Sequence, residues 1–488
     1  MKSNSAPADI SPALRKPLSG LAVALVLSVS VAACAPDLGP KPALLSPADL
    51  HTERSFAAPQ ADWPTTAWWR AYGDPGLDAL IGEALAGAPD LKIAEARMRQ
   101  AEAAAEAAGA ATLPAVDADG SALATRQSLN TGFPEAFKDF LPRGYHNDAR
   151  ATLSLAYQLD FFGRNAAALA AATSAADAAR ADVAAARIQL STAVAAAYAE
   201  FVRLAADRAA AADAVKLRRA SAGLVADRVS HELENEGQLA QARSDVAAAE
   251  ADLAAVDGRI ARVRNQLAAL LGKGPDRGLD IAVPSRPALR PFGVPRALAV
   301  DLLGRRPDII AARLRAEAAS QRIDVARADF YPNVDLTAYI GLQSLGLGDL
   351  LKADSQIGRI GPAIHLPIFD GGRIEGAYRQ ARAAYDEAAA LYDRTLADAL
   401  REVADALADQ RALAGELAHA RDARAAIEDA HRIATARYRA GLSRYLDVLA
   451  AEDKLVAARR RVADLEAQAF ALDVALVRAL GGGFAEHS

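Results

Sequence analysis

Thr152-Leu153-Ser154-Leu155-Ala156-Tyr157-Gln158-Leu159-Asp160-Phe161-Phe162-Gly163-Arg164 decides the fold. Leu153, Leu155, Tyr157 and Leu159 take one face of an alternating run, and Thr152, Ser154, Ala156 and Gln158 take the other. Period-two alternation predicts a strand with one apolar face. Past Gly163 the period changes. Residues 163–235 contain no Pro and, beyond the first turn, almost no Gly. They are rich in Ala, the best helix former, and predict one very long helix starting where the strand ends.

The same pattern returns roughly 210 residues later, as expected of an internal duplication. Leu113-Pro114-Ala115-Val116-Asp117 is echoed by Tyr331-Pro332-Asn333-Val334-Asp335, Gly163-Arg164 by Gly372-Arg373, and Gly237 by Gly441. In 334–342, Val334, Leu336, Ala338, Ile340 and Leu342 oppose Asp335, Thr337, Tyr339 and Gly341. Segment 360–368 puts Ile360, Ile364, Leu366 and Ile368 opposite His365. Segment 115–125 alternates more weakly, with Val116, Ala118, Ala122 and Ala124 opposite Asp117, Asp119, Ser121 and Thr125. Residues 372–440 predict a second long helix. Each long helix would run about 100 Å, which demands coiled-coil support. Shorter helices are expected at about 76–110 and 238–272 in one half, and at about 307–329 and 442–480 in the other.

Strands near ten residues with one apolar face fit a membrane barrel, and also fit half-buried strands of a soluble sheet. If they lie in lipid, four strands cannot close, and several chains must share one barrel. A soluble antiparallel coiled coil would leave the strand pair before each long helix unexplained.

The chain has 488 residues, 52% hydrophobic and 24% charged, with a formal net charge of −5 and only 5% aromatics. That mild acidity argues against a nucleic-acid partner. A single Cys excludes a disulfide framework and a Cys-cluster metal site. No Walker loop, nucleophile elbow or His-Glu-x-x-His occurs, so neither an enzyme nor a cofactor is expected. The seven His are scattered along the chain and predict no metal site.

Arg15 and Lys16 precede the apolar run Leu21–Val31, then Ala32-Ala33 and Cys34. This is an export signal. An ordinary signal peptide with a chance Cys and a single anchor helix are the plainer readings. Val31-Ala32-Ala33-Cys34 also resembles a bacterial lipobox, which would acylate Cys34 as the mature first residue.

Several stretches resemble the outer membrane factor (TolC-like) family, and more closely its RND-type efflux lipoprotein branch (NodT-like). They are Cys34-Ala35-Pro36-Asp37-Leu38-Gly39-Pro40, Trp68-Trp69-Arg70-Ala71-Tyr72-Gly73-Asp74-Pro75, Ala88-Pro89-Asp90-Leu91, Leu159–Arg164, Gly304-Arg305-Arg306-Pro307-Asp308 with Ala326-Arg327-Ala328-Asp329-Phe330-Tyr331-Pro332, and Tyr438–Leu449. Arg313 stands where the family signature carries Glu. The resemblance implies an α+β membrane protein. It would be a homotrimer whose twelve-stranded β-barrel, four strands per chain, continues as a long α-helical coiled-coil tunnel in the periplasm. Its implied parts are a signal peptide at 1–33, an acylated equatorial segment at 34–75, and two efflux repeats at 76–290 and 291–488. Ala35, rather than Asp, after Cys34 favours the outer membrane.

The implied function is a passive exit duct for drugs and other small toxic compounds. Its partners would be outer membrane lipid, a periplasmic adaptor and an inner-membrane RND-type pump. Alternatives are a duct for type I protein secretion and a periplasmic coiled-coil scaffold. By resemblance, Asp447 and Tyr438 belong to a periplasmic gate, with Ala450 where many relatives carry a second Asp; the relatives' latch Arg falls at Ser443, and Arg444 next door is the candidate for it. Gly237 and Gly441 mark the helix-turn tips, and Gly163, Arg164, Gly372 and Arg373 the barrel–helix junctions. Phe161, Phe162, Phe330, Tyr331 and Phe369 fit either an interfacial girdle or ordinary packing. Glu232, Glu234 and Glu236 read as a solvated charge run or as an acidic band at the tip.

Overall fold

The computed structural model describes residues 35–128, 130, 134–283, 293–295 and 298–485. The expected signal peptide and Cys34 lie outside the described residues. The main elements are α1 (Pro75–Gly87), α2 (Pro89–Ala110), β1 (Ala115–Thr125), β2 (His146–Leu159), α3 (Arg164–Ser230), α4 (Glu236–Leu270), α5 (Asp276–Leu279), α6 (Leu298–Arg305), α7 (Pro307–Ala328), β3 (Asn333–Leu345), β4 (Gln356–His365), α8 (Arg373–Arg439) and α9 (Tyr445–Ala479). The duplication repeats the lengths of the long hairpin helices. Helices α3 and α8 have 67 residues each, and α4 and α9 have 35 each. Among the described residues, no helix is long and apolar enough to cross a membrane.

The expected helix at 76–110 is two helices. Ala88 is extended, with φ −61° and ψ 133°, because a residue preceding proline avoids the helical region. Pro89 then occupies the first position of α2, where its missing N–H costs nothing. The first long helix stops at Ser230 rather than 235. Glu232 there adopts φ 51°, a left-handed conformation that ends a helix.

The chain packs as two units, each drawing on both sequence halves. Among the described residues, one comprises 35–41, Ala105–Ala172 and Ala318–Asp386, and the other the remainder. The first holds an antiparallel sheet in the order β1-β2-β3-β4. Its register sorts the faces. Val116, Leu155, Ala338 and Ile360 form one rung, and Ala118, Leu153, Ile340 and Gly358 another. Between them lies the polar rung Asp117, Ser154, Tyr339 and Arg359, where Arg359 adds a charge the alternation alone did not single out. Leu123 and Ile357 depart from the pattern toward the far end of the sheet. The apolar face is bare, with Leu153 50%, Ile340 68% and Ile360 76% exposed. Strands β1 and β4 each have one unpaired edge.

Both strand-to-helix junctions in this unit use one device. Asp160 accepts the Ala166 N–H at 2.8 Å, and Asp370 accepts those of Gly372 at 3.0 Å and Ile374 at 2.8 Å. Each carboxylate satisfies orphan donors at a helix start. Gly163, with φ 74°, and Gly372, with φ 88°, make turns that other residues resist. The N-terminal segment is tied down as well. Arg382 donates to the Gly39 carbonyl at 3.0 Å and also to that of Pro40. Lys41 donates to Ser320 Oγ at 2.8 Å and lies 5.8 Å from the Tyr385 ring centre.

The second unit has an aromatic core. Trp68, Tyr72 and Phe470 are each at most 2% exposed, and their rings meet edge-on, with Tyr72 and Phe470 4.9 Å apart. Two phenols fasten the Trp68–Asp74 segment across the duplication. Tyr72 donates to Asp473 at 2.6 Å, and Tyr198 donates to Asp74 at 2.7 Å. Burial and the Asp74 carboxylate push the Tyr198 pKa upward. Arg306 is buried and held by Asp308, Glu402 at 2.9 Å and the Ala479 carbonyl. Arg313 pairs with Glu317 on its own helix at 3.7 Å.

Candidate functional site

The two helical turns in the second unit hold the expected gate residues. At the first, the Glu232 N–H donates to the Val229 carbonyl at 3.0 Å and the Leu233 N–H to that of Arg228 at 2.8 Å, which closes α3. Asn235 then starts α4. Its side chain accepts the Gln238 N–H at 3.1 Å, and Gln238 accepts the Asn235 N–H at 3.4 Å. This reciprocal pair is a capping box. Gly237 therefore lies inside the first turn of α4, and the tip itself is residues 231–235.

At the second turn, Gly441 has φ 73°. The Leu442 N–H donates to the Arg437 carbonyl at 2.9 Å and the Gly441 N–H to that of Tyr438 at 3.0 Å. This arrangement needs a left-handed residue, and glycine provides it without steric cost. Asp447 and Arg444 are both exposed. The Asp447 carboxylate accepts the Arg444 backbone N–H at 3.1 Å, so it braces the start of α9 while facing solvent. Leu233, Leu442 and Leu446 are 63%, 69% and 61% exposed at these turns.

Tyr438 points the other way, with 1% of its surface exposed. Its hydroxyl donates to Glu234 Oε1 at 3.3 Å, joining the end of α8 to the first turn. Arg228 completes a triad. Its guanidinium lies 4.8 Å from the Tyr438 ring centre and 3.6 Å from Glu234 Oε1. Burial, and then the Glu234 charge, push the Tyr438 pKa up to about 12. Tyr445 packs 6.0 Å from Tyr438 in a small core with Val225, Leu239 and Val448. Glu234 is thus no member of a solvated run, since its side chain is only 11% exposed, whereas Glu232 and Glu236 face water. Sequence reasoning found Tyr438, named Glu234 only as one acid of a run, and missed Arg228. Their signal was the strict recurrence of the turn in both halves, which sets the first turn opposite the end of α8.

The junction residues gather in the other unit. Arg164 pairs with Asp329 at 2.9 Å. Arg164 and Arg373 line a cleft of about 380 Å³ with Phe162, Tyr331 and His365. The aromatics divide between the two readings. Phe162 stacks on Tyr331 at 4.7 Å and Phe330 meets Tyr378 edge-on at 5.7 Å, so these pack. Phe161 and Phe369 are 68% and 92% exposed, as girdle rings would be in an isolated chain.

Known proteins share this architecture. The sequence pattern of the outer membrane efflux protein family matches residues 80–273 and 298–482. The outer membrane protein VceC of Vibrio cholerae has a similar structure, with TM-score 0.81 and 42% identity over 86% of this chain and 100% of that one. The fusaric acid resistance protein FusA of Burkholderia cepacia is 36% identical over 76% of this chain and 71% of its own length. The multidrug resistance outer membrane protein MdtP of Escherichia coli K12 is 30% identical over 90% of this chain and 91% of its own. A duplicated pair of strands and long helices, with a family pattern matched in both halves, leads to one conclusion: the chain is an outer membrane channel protein and belongs to the outer membrane efflux protein family.

Proposed function

We propose that three copies close one twelve-stranded barrel in the outer membrane and form a passive exit duct for small toxic compounds, driven by an inner-membrane RND-type pump through a periplasmic adaptor. The observation that carries this reading is the bare apolar face of a four-stranded sheet with two open edges. Such a sheet is tolerated in lipid only when neighbouring copies complete it. The polar face then lines water, as in other barrels that conduct. The relatives named for multidrug and fusaric acid resistance support small toxic compounds as cargo.

Acylation at Cys34 is part of the proposal. Gly39, Pro40 and Lys41 are held beside α8 within 12 residues of its start, close enough for the few remaining residues to reach the barrel base. The gate is the pair of turns. Three exposed Asp447 carboxylates would form one acidic ring that concentrates cations, with Ala450 supplying no second. Tyr438, Glu234 and Arg228 hold each chain's two turns together, and Arg444 stands beside the ring. The exposed leucines of the turns offer an apolar surface to the adaptor. Disrupting the chain in its host should raise accumulation of several unrelated toxic compounds and leave protein secretion intact. Loss of a secreted protein with unchanged drug sensitivity would replace this reading with type I secretion.

A further inference from the structure

We propose that Glu452 is a second gate-positioning residue, and that a proton on His431 tightens the clasp Glu452 forms across three helices, so that the passage closes in acid. This rests on the reading of the two turns as the gate. Glu452 is 1% exposed on α9, two turns inside Tyr445. It accepts from Arg218 of α3 at 2.7 Å and from the Ser221 hydroxyl of the same helix. His431 of α8 approaches the same carboxylate, Nε2 to Oε1, at 3.7 Å. Helix α3 belongs to one half of the duplication, and α8 and α9 to the other. The second hairpin therefore cannot move away from the first near the tip without breaking or pivoting these contacts. A carboxylate this buried persists as an anion only among matched donors.

The charge balance shows what the imidazole does. Arg218 also pairs with Asp453. One guanidinium thus faces two carboxylates, leaving one negative charge in excess while His431 is neutral. A protonated His431 cancels that excess and adds an ion pair between α8 and α9. The other neighbours do not. Thr435 contributes a hydroxyl 3.4 Å from His431 Nε2. On the same helix, Glu428 is engaged by Arg459 at 3.3 Å, and Arg432 turns to Asp429 at 3.0 Å. From α4, Asp245 and its negative charge act on Tyr445, which Glu452 and Arg218 also influence. Histidine is the side-chain type that changes charge in the range between neutral and mildly acidic conditions.

The test is single-channel current from the full-length protein at about pH 5.5 and about pH 7.5, on either side of that range. The parent should open about fivefold less often in acid, the lower end of ordinary coupling. His431→Gln should remove this difference and leave thermal stability at about pH 7.5 unchanged, which a merely structural role would not do. Glu452→Gln should open more often at both values and flatten the profile. His231→Gln, at the exposed first turn, should keep the parent's profile. Tyr438→Phe should open more at both values and keep the fivefold ratio. An unchanged ratio in His431→Gln, or no ratio in the parent while Tyr438→Phe still opens more, overturns the clasp and leaves the gate standing. No effect from Tyr438→Phe either overturns both.

Discussion

A charge placed on one face of the sheet should abolish assembly, whereas the same charge one residue away should be tolerated. Leu153 lies six residues from Leu159, the junction end of β2. At about 3.3 Å per residue that is roughly 20 Å along the strand. A tilt of about 40° brings it roughly 15 Å above the junction, near the middle of an apolar band about 25 Å tall. An arginine there costs about 2–4 kcal/mol per copy, so three copies cost about 6–12 kcal/mol per barrel. This rivals the whole stability of a typical domain, about 5–15 kcal/mol. Ser154 points to the opposite face, on a rung with Asp117, and its hydroxyl approaches the Asp119 carboxylate at 3.5 Å. An arginine at 154 meets those carboxylates in water, where the change stays within about 0.5 kcal/mol. The assay is the fraction of chain recovered from outer membranes as SDS-resistant, heat-dissociable trimer. Leu153→Arg should lose nearly all of it and Ser154→Arg should match the parent. Equal assembly of the two would mean that the exposed apolar rungs do not face lipid.

The remaining predictions concern the anchor, the gate and the core. Mass spectrometry of the mature protein should find Cys34 as a diacylated first residue, and an unmodified Cys34 would contradict this. Asp447→Asn should remove most of the block by a trivalent cation applied from the periplasmic side, because Ala450 offers no second ring; an unchanged block would place the constriction elsewhere. The Tyr438 pKa, raised above the ordinary phenol value of about 10 to about 12, makes stability at the tip full below pH 10 and lost as pH rises through 12. Tyr445 in the same core is likewise pushed up to about 12 by burial, so hydrogen exchange at the turns should show that alkaline loosening in the parent and a smaller one in Tyr438→Phe. Tyr72→Phe should destabilise the second unit by about 1.5–3 kcal/mol, the usual worth of a hydrogen bond to a charged group. Thermal melting in detergent measures it, and an unchanged melting temperature would mean the Asp473 contact is dispensable.

Much of the fold was legible because periodicity is local. The alternation in 152–159 and the Pro-free runs after Gly163 and Gly372 required no knowledge of partners, and the structure keeps both. The break at Ala88 was legible in principle, since Pro89 restricts the residue before it, yet the apolar spacing ran on across it. The early stop of α3 was not, because Glu232 is neither Gly nor Asn and its left-handed backbone is imposed by the turn. The proposed gate was half legible. Tyr438 and Asp447 sit in a recognisable turn motif, but Glu234 looked like one of three equivalent acids. Only the packing of one half on the other turns it toward Tyr438. The same holds for Glu452 and Arg218, which are 234 residues apart and meet between α9 and α3. No local pattern marks a residue whose partners lie in the other copy of a duplication.

Single-channel current from protein purified from the outer membrane tests the central claim most directly, with Tyr438→Phe run beside the parent. A detergent-dependent trimer should insert into a planar bilayer and give discrete current steps, more frequent in Tyr438→Phe. A monomer that stays in water without detergent, giving no current from either protein, would contradict the account.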